Sequence, residues 1–151
     1  MRLRAAIAAC AAVGIGIASY LLAVRLAHVP LVCSTGGCET VQSSRYSELA
    51  GMPVAALGLA AYVAVLVSAL VRDPLAAAAG VAVSVSGLAF AGYLLYVQIA
   101  VVDAICVWCV ASDATIAVLA GLCLLRLRDL PQSVRGPARM APDATRGTID
   151  S

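Results

Sequence analysis

The chain has 151 residues, of which 63% are hydrophobic and only 12% are charged. A water-soluble domain of this size needs far more charge on its surface, so the composition excludes that class and indicates an integral membrane protein. The net charge of +2 is too small to suggest a nucleic-acid partner, and no cluster of basic and aromatic residues is present.

Four long apolar stretches follow one another along the chain. The first covers residues 5–27 and is long enough to cross about 30 Å of hydrocarbon. It is too long for the apolar core of a signal peptide, and no clear cleavage site follows it. We therefore interpret it as a retained helix, with a cleaved signal as the alternative. The other spans are predicted over residues 53–71, 75–102 and 104–125.

The basic residues, all of them arginine, indicate how these spans are oriented. Arginines concentrate on the cytoplasmic side of membrane proteins. With both chain ends inside, eight arginines face the cytoplasm and only Arg25 and Arg45 face outward. The predicted fold is all-α: an integral membrane bundle of four transmembrane helices over residues 1–130, with a disordered cytoplasmic tail over residues 131–151. The predicted location is the plasma or inner membrane, which the chain crosses several times.

Two close pairs of cysteines lie on the outer side in this topology. Cys33 and Cys38 flank a Gly-Gly pair in the polar segment 28–51, where a sharp bend can bring the two sulfurs to disulfide distance. Cys106 and Cys109 form a C-x-x-C motif, predicted to lie one turn into the fourth helix, where the positive end of the helix dipole favours thiolate. Disulfides persist on the outer side of a membrane, so the cysteines agree with the topology derived from the arginines.

These pairs predict thiol–disulfide exchange. A mobile outer pair can react with a soluble protein and then with the pair at the membrane. The alternatives are two structural disulfides in a non-catalytic membrane scaffold, or packed free thiols. A zinc site of four thiolates is possible by number, but the outer compartment oxidises such thiols, so no metal is expected.

Three further residues are candidates for the wall of a quinone pocket. Asp113 lies four residues after Cys109, on the same helical face and about 13 Å along the fourth span. A carboxylate there costs on the order of 3 kcal/mol to insert, and such residues usually face a functional cavity. We interpret Asp113 as a proton donor or hydrogen-bond partner for a reducible ligand; pairing inside the bundle is the alternative. Trp108 and Tyr96 fit either an aromatic belt or the pocket wall.

The order of these motifs resembles the vitamin K epoxide reductase family. The matching segments are Cys33-x4-Cys38, the sequence ETVQSSRY at 39–46, GMPVAALG at 51–58 and CVWC at 106–109. The likeness runs from the first span to about Leu125. It implies a four-helix bundle around a quinone, either menaquinone or ubiquinone. In bacterial members it also implies reoxidation of the thioredoxin-fold enzyme that makes disulfides in secreted proteins.

By this resemblance each of the paired cysteines has a role. Cys33 undergoes thiol–disulfide exchange with the partner, and Cys38 then undergoes exchange with Cys106. Cys109 faces the quinone. Many bacterial relatives carry a fused thioredoxin domain, whereas this chain ends in a short polar tail, so the expected partner is a separate thioredoxin-fold protein in the outer compartment.

The resemblance also bears on the quinone pocket. Ser44 matches a serine of the family's loop, six residues after the second loop cysteine, and is expected at the quinone. Asp113 stands where vertebrate members have a quinone-contacting tyrosine, so the hydrogen bonds at this position differ from theirs. The family offers a second activity as an alternative, the reduction of vitamin K quinone or its epoxide as the useful reaction.

Overall fold

The computed structural model describes residues 2–33, 36–49 and 51–129. In these residues the regular secondary structure is helical apart from one short β-ribbon, in which β1 and β2 pair antiparallel. The elements in chain order are α1 (Arg2–Ala27), α2 (Gly37–Ser43), a 3₁₀ turn (Arg45–Ser47), β1 (Glu48–Leu49), β2 (Met52–Pro53), α3 (Val54–Leu70), α4 (Pro74–Ala100) and α5 (Val107–Arg128). The tail predicted to be disordered, residues 131–151, lies outside the described residues.

Three of the helices, α1, α4 and α5, are long and apolar enough to cross a membrane. α3 is also apolar but has 17 residues, about 25 Å of helix. Many large apolar side chains are exposed on these helices, as lipid contact requires. The prediction of an all-helical membrane protein with several spanning helices is confirmed.

The long helices pack side by side around a shared core. α1 contacts α3 and α5, and α4 contacts the same two helices from the other side. Ile7, Val65 and Leu119 are fully buried between them. We call the end of the bundle that carries the four paired cysteines the cysteine end, and the end that carries Arg4 and Arg126 the arginine end.

A glycine in α1 lets three helices meet in the core. A Cβ atom at Gly14 would overlap the ring of Tyr62 in α3. This tyrosine is 2% exposed, and its hydroxyl lies 2.8 Å from both the carbonyl oxygen and the Oγ of Ser112 in α5. The close approach at Gly14 therefore allows Tyr62 to connect α3 with α5.

Two arginines cap the end of α3. Arg4 from α1 and Arg126 from α5 together donate to four consecutive carbonyl groups, those of residues 68–71. Arg126 makes its bonds to Ser68 at 2.7 Å and to Val71 at 3.0 Å. The last carbonyls of a helix have no partner within it and carry partial negative charge. The guanidinium groups supply both the donors and the opposite charge.

We expect Arg126→Met to lower the free energy of unfolding. Two carbonyls lose their donor, at about 1–3 kcal/mol for each one left unpaired. Arg126 is only 9% exposed, so water does not readily replace it. Thermal unfolding in detergent measures the effect, with the exposed Arg128→Met on the same helix as the control. Equal unfolding midpoints for the two variants would contradict the capping role.

Candidate functional site

The first cysteine pair lies in the segment that follows α1. Cys33 and Cys38 are joined by a disulfide bond. Between them Gly36 has a φ of 72°, a left-handed conformation that favours glycine, and it is the N-cap of α2. Cys38 is fully buried in the first turn of α2, whereas Cys33 is partly exposed.

The second pair lies at the start of α5. The prediction that both cysteines lie within the helix is wrong, because α5 begins at Val107 and Cys106 is its N-cap. The Cys106 sulfur accepts the backbone N–H of Cys109 at 3.3 Å, as N-cap side chains do, and it lies 2.8 Å from the Cys109 sulfur. The chain reaches this point through a turn in which Asp103 has a φ of 51°, a conformation that aspartate tolerates. Both Cys106 and Cys109 are free thiols.

The surroundings of Cys106 favour its thiolate form. This residue precedes α5 and therefore lies outside the spanning helix. The hydrogen bond from the Cys109 thiol lowers the pKa of the Cys106 thiol below its ordinary value, although burial opposes this change. A thiolate is the form that takes part in disulfide exchange.

The two pairs meet at the cysteine end. Cys38 and Cys106 are both fully buried and belong to one packed cluster, against which Cys33 and Cys109 also pack. Val41 of α2 completes the buried part of this cluster. The structure therefore brings the four predicted redox cysteines together.

A cavity of about 380 Å³ adjoins this cluster. Its walls are mostly apolar side chains from α1, α3, α4 and α5, and the segment from α2 to β1 forms a further wall. Cys109, Asp113 and Ser44 all line it. An apolar pocket with a few polar groups is typical of a site for a small, largely apolar ligand. The other polar residues in the wall are Gln42, Tyr46, Ser47, Tyr62, Ser86, Gln98 and Ser112.

One oxygen of Asp113 is left without a partner. Its Oδ2 is buried and has no hydrogen bond within the described residues. A buried polar atom in this state costs about 1–3 kcal/mol. Since Asp113 lines the cavity, a polar atom of a bound ligand can satisfy this oxygen.

Trp108 and Tyr96 do not line the cavity. The ring of Trp108 lies 4.8 Å from that of Tyr20, and its Nε1 donates to the carbonyl of Val32 at 3.0 Å. Consecutive residues on a helix point about 100° apart, so Trp108 faces away when Cys109 faces the cavity. Tyr96 is 64% exposed on α4, as in an aromatic belt.

Gln98 was not among the predicted site residues. It is 3% exposed, lines the cavity and accepts the backbone N–H of Cys106 through its Oε1 at 3.0 Å. The signal in the sequence was a single amide within the apolar run of α4, since polar side chains inside a span are usually functional.

From the sequence, Arg25 was predicted only to lie on the outer side. In the structure it also fixes in place the segment that forms one wall of the cavity. From the last turn of α1 it donates to the Gln42 carbonyl and to Ser47 Oγ at 2.9 Å, and it pairs with Glu48 at 2.6 Å. These charge-assisted bonds tie the segment after Cys38 to the bundle.

We expect Arg25→Gln to loosen this segment. The reduced Cys38 thiol should then react with an alkylating reagent about tenfold faster, a change that corresponds to about 1.4 kcal/mol in the opening equilibrium. Mass spectrometry of the alkylated protein gives the rate, and the exposed Arg45→Gln on the 3₁₀ turn is the matched control. Equal rates in the two variants would show that Arg25 does not hold the segment.

The described parts of the chain contain no group of three or more His, Cys, Asp or Glu side chains that could hold a metal ion. A disulfide packed against a dithiol, at the edge of an apolar cavity, is an arrangement that suits thiol–disulfide exchange beside a small, largely apolar ligand. The model of the vitamin K epoxide reductase family matches residues 5–124, and the chain belongs to this family. The match includes all four paired cysteines. Membership makes the protein an oxidoreductase.

Proposed function

We propose that the protein is a quinone-dependent thiol–disulfide oxidoreductase that reoxidises a separate thioredoxin-fold protein. The observation that best supports this proposal is a series of contacts at the cysteine end. A dithiol packs against a disulfide, and one of its thiols, Cys109, lines an apolar cavity. A scaffold with two structural disulfides does not account for the free thiols of the second pair.

We also propose that residues 1–130 form one membrane domain in which α1, α3, α4 and α5 all span and the cysteine end faces outward. The distribution of charge supports this orientation, because basic residues favour the cytoplasmic side. Among the described residues, Arg25 and Arg45 belong to the segments at the cysteine end. The arginines at or near the helix ends of the opposite side are Arg2, Arg4, Arg72, Arg126 and Arg128.

In the first exchange a thiolate of the reduced partner attacks Cys33. A partner–Cys33 disulfide forms, the Cys33–Cys38 bond breaks, and Cys38 leaves as a thiolate. The second thiol of the partner then attacks the partner's first sulfur, which is bonded to Cys33 in the mixed disulfide. The partner leaves oxidised, and Cys33 and Cys38 remain reduced. The partial exposure of Cys33 and the burial of Cys38 support Cys33 as the sulfur that is attacked.

In the second exchange the electrons pass to the pair at α5. The Cys38 thiolate attacks Cys106 in a Cys106–Cys109 disulfide, and Cys109 leaves as a thiolate. Cys33 then attacks Cys38, which restores the Cys33–Cys38 disulfide and leaves Cys106 and Cys109 reduced. The structure has this combination, a disulfide in the first pair and free thiols in the second.

The cavity is proposed to hold the quinone, menaquinone or ubiquinone. Two electrons and two protons would pass to a quinone bound there as Cys106 and Cys109, both thiols in the structure, join in a disulfide, and the product would leave as quinol. Cys109 lines the cavity while its thiol donates to Cys106, so Cys106 is placed to receive that proton when Cys109 reacts. The unpaired oxygen of Asp113 suits a hydrogen bond with a quinone oxygen. Ser44 now donates to the Val41 carbonyl at 2.7 Å, so its hydroxyl must rotate to donate to the ligand.

Trapping tests the proposed function. In Cys38→Ala, Cys33 is a free thiol, and its thiolate can attack the disulfide of the oxidised partner to form a mixed disulfide. Because no Cys38 is present to break this bond by re-forming the Cys33–Cys38 disulfide, a disulfide-linked thioredoxin-fold protein should accumulate on Cys33 in intact membranes. The double variant Cys33→Ala, Cys38→Ala is the control and should trap nothing. If Cys38→Ala captures no such protein, and the purified protein reduces quinone epoxide instead, the partner assignment is wrong.

A further inference from the structure

The backbone of α2 touches the backbone just before α5 at Gly37. A Cβ atom on Gly37 would lie 2.6 Å from the carbonyl oxygen of Ile105, 2.9 Å from its nitrogen and 3.2 Å from its carbonyl carbon. All three are backbone atoms, which cannot rotate away as a side chain can. Gly37 itself is helical and has no left-handed φ, so space and not conformation requires a glycine here.

This contact lies between the two cysteine pairs. Gly37 directly precedes Cys38, and Ile105 directly precedes Cys106. Both cysteines are fully buried in one cluster. The distance between the two backbones at this contact therefore sets how closely the two sulfurs approach.

The Cys106 side of the contact is anchored from behind. Gln98 of α4 accepts the N–H of Cys106 through its side chain at 3.0 Å, and its carbonyl accepts the N–H of Ala104 at 3.1 Å. Ile105 lies between these two anchored residues. A larger residue at position 37 would consequently displace α2 and Cys38, and would leave the start of α5 in place.

We propose that Gly37 is a positioning residue for exchange between the two pairs. The inference rests on the proposed function and names the contact that the second exchange depends on. In that step the Cys38 thiolate attacks Cys106, the Cys38–Cys106 bond forms, the Cys106–Cys109 bond breaks, and Cys109 takes the electron pair as thiolate. Attack on a disulfide needs direct contact of the sulfurs, and only a residue without a Cβ permits it here.

The test isolates this step in a Cys33→Ala, Cys109→Ala background, in which Cys38 and Cys106 are left as a pair. A mild oxidant, copper phenanthroline, should join them rapidly, and the bond is read by mass spectrometry of peptides. Adding Gly37→Ala should slow this cross-linking about 10- to 100-fold, the loss expected when reacting groups are misplaced by about 1 Å. Gly36→Ala is the matched control: it strains the same turn, but its Cβ would have no atom within 4 Å.

A second readout separates positioning from a general loss of structure. In the otherwise unchanged protein, Gly37→Ala should still react with one equivalent of a reduced thioredoxin-fold protein at Cys33–Cys38. Quinone binding, read by quenching of the single tryptophan, should also be preserved. If Gly37→Ala does not accumulate, Gln98→Leu releases the other side of the contact and should slow cross-linking in the same background.

The outcomes distinguish the two proposals. If Cys38 and Cys106 do not cross-link even with glycine at position 37, the proposed electron route fails. If they cross-link and Gly37→Ala or Gln98→Leu cross-links equally fast, only the positioning role is overturned. Slowing by Gly36→Ala as large as that by Gly37→Ala would also overturn it, since strain of the turn would then explain the effect.

Discussion

Cys109→Ser is expected to abolish turnover with quinone, by about three orders of magnitude or more, as the loss of a nucleophile that no neighbour replaces usually does. Cys109 is the cysteine of its pair that lines the cavity, and Cys106 lies behind it in the buried cluster. The decrease in quinone absorbance in the presence of a reduced thioredoxin-fold protein measures the rate. The variant should still oxidise about one equivalent of that protein, because the Cys33–Cys38 disulfide is untouched.

The remaining free cysteines supply the controls for this experiment. Cys123 is buried in the main core, and Cys10 donates to the Thr115 carbonyl at 3.9 Å within the bundle. Neither lines the cavity. Cys10→Ser and Cys123→Ser should each keep nearly full turnover. Full turnover in Cys109→Ser would remove the basis of the proposed quinone reaction.

Asp113→Asn is expected to lower the rate of quinone reduction about 100-fold while the Michaelis constant for quinone changes little. The amide can still donate a hydrogen bond to a quinone oxygen but cannot transfer a proton, and a positioned acid contributes about 10²- to 10⁴-fold. Asp113→Leu should lose both effects and raise the Michaelis constant as well. Steady-state kinetics over a range of quinone concentrations separates the two variants.

Although Asp113→Leu is expected to lose activity, we expect it to make the protein more stable. Asp113→Leu removes a buried oxygen that has no partner in the described residues, so its unfolding midpoint in detergent without quinone should rise. Asp103→Asn, in the turn before α5, is the control for loss of a carboxylate outside the cavity and should change neither property. An Asp113→Asn protein with unchanged quinone kinetics would assign the carboxylate no part in the reaction.

Much of the fold was predictable because its signals are local. A long apolar run specifies a helix in lipid, where every backbone group must be satisfied within the segment. The spacing of the four paired cysteines was equally plain. The roles of Asp113 and Ser44 stay predictions, but the cavity that both line adjoins Cys109.

Other features depended on packing between distant segments. Trp108 and Tyr96 were candidates for the cavity wall because aromatic residues suit both a membrane interface and a pocket, and only the rotation of α4 and α5 in the bundle decides between them. The start of α5 at Val107 was missed for a similar reason. The residues before it bond to Gln98 of α4 instead of continuing the helix.

The sequence by itself determined that this is a helical membrane protein with two redox-capable cysteine pairs, because composition and short spacings act within a single segment. Tertiary structure alone decided which sulfur lines the cavity. It also decided that Arg25 fixes the segment after Cys38 and that Gln98 fixes the residues before α5. The close contact between the backbones at Gly37 and Ile105 likewise depends on it. These features arise where segments far apart in the chain come into contact. The space available at such a contact depends on both segments, so the residues of one helix alone do not reveal it.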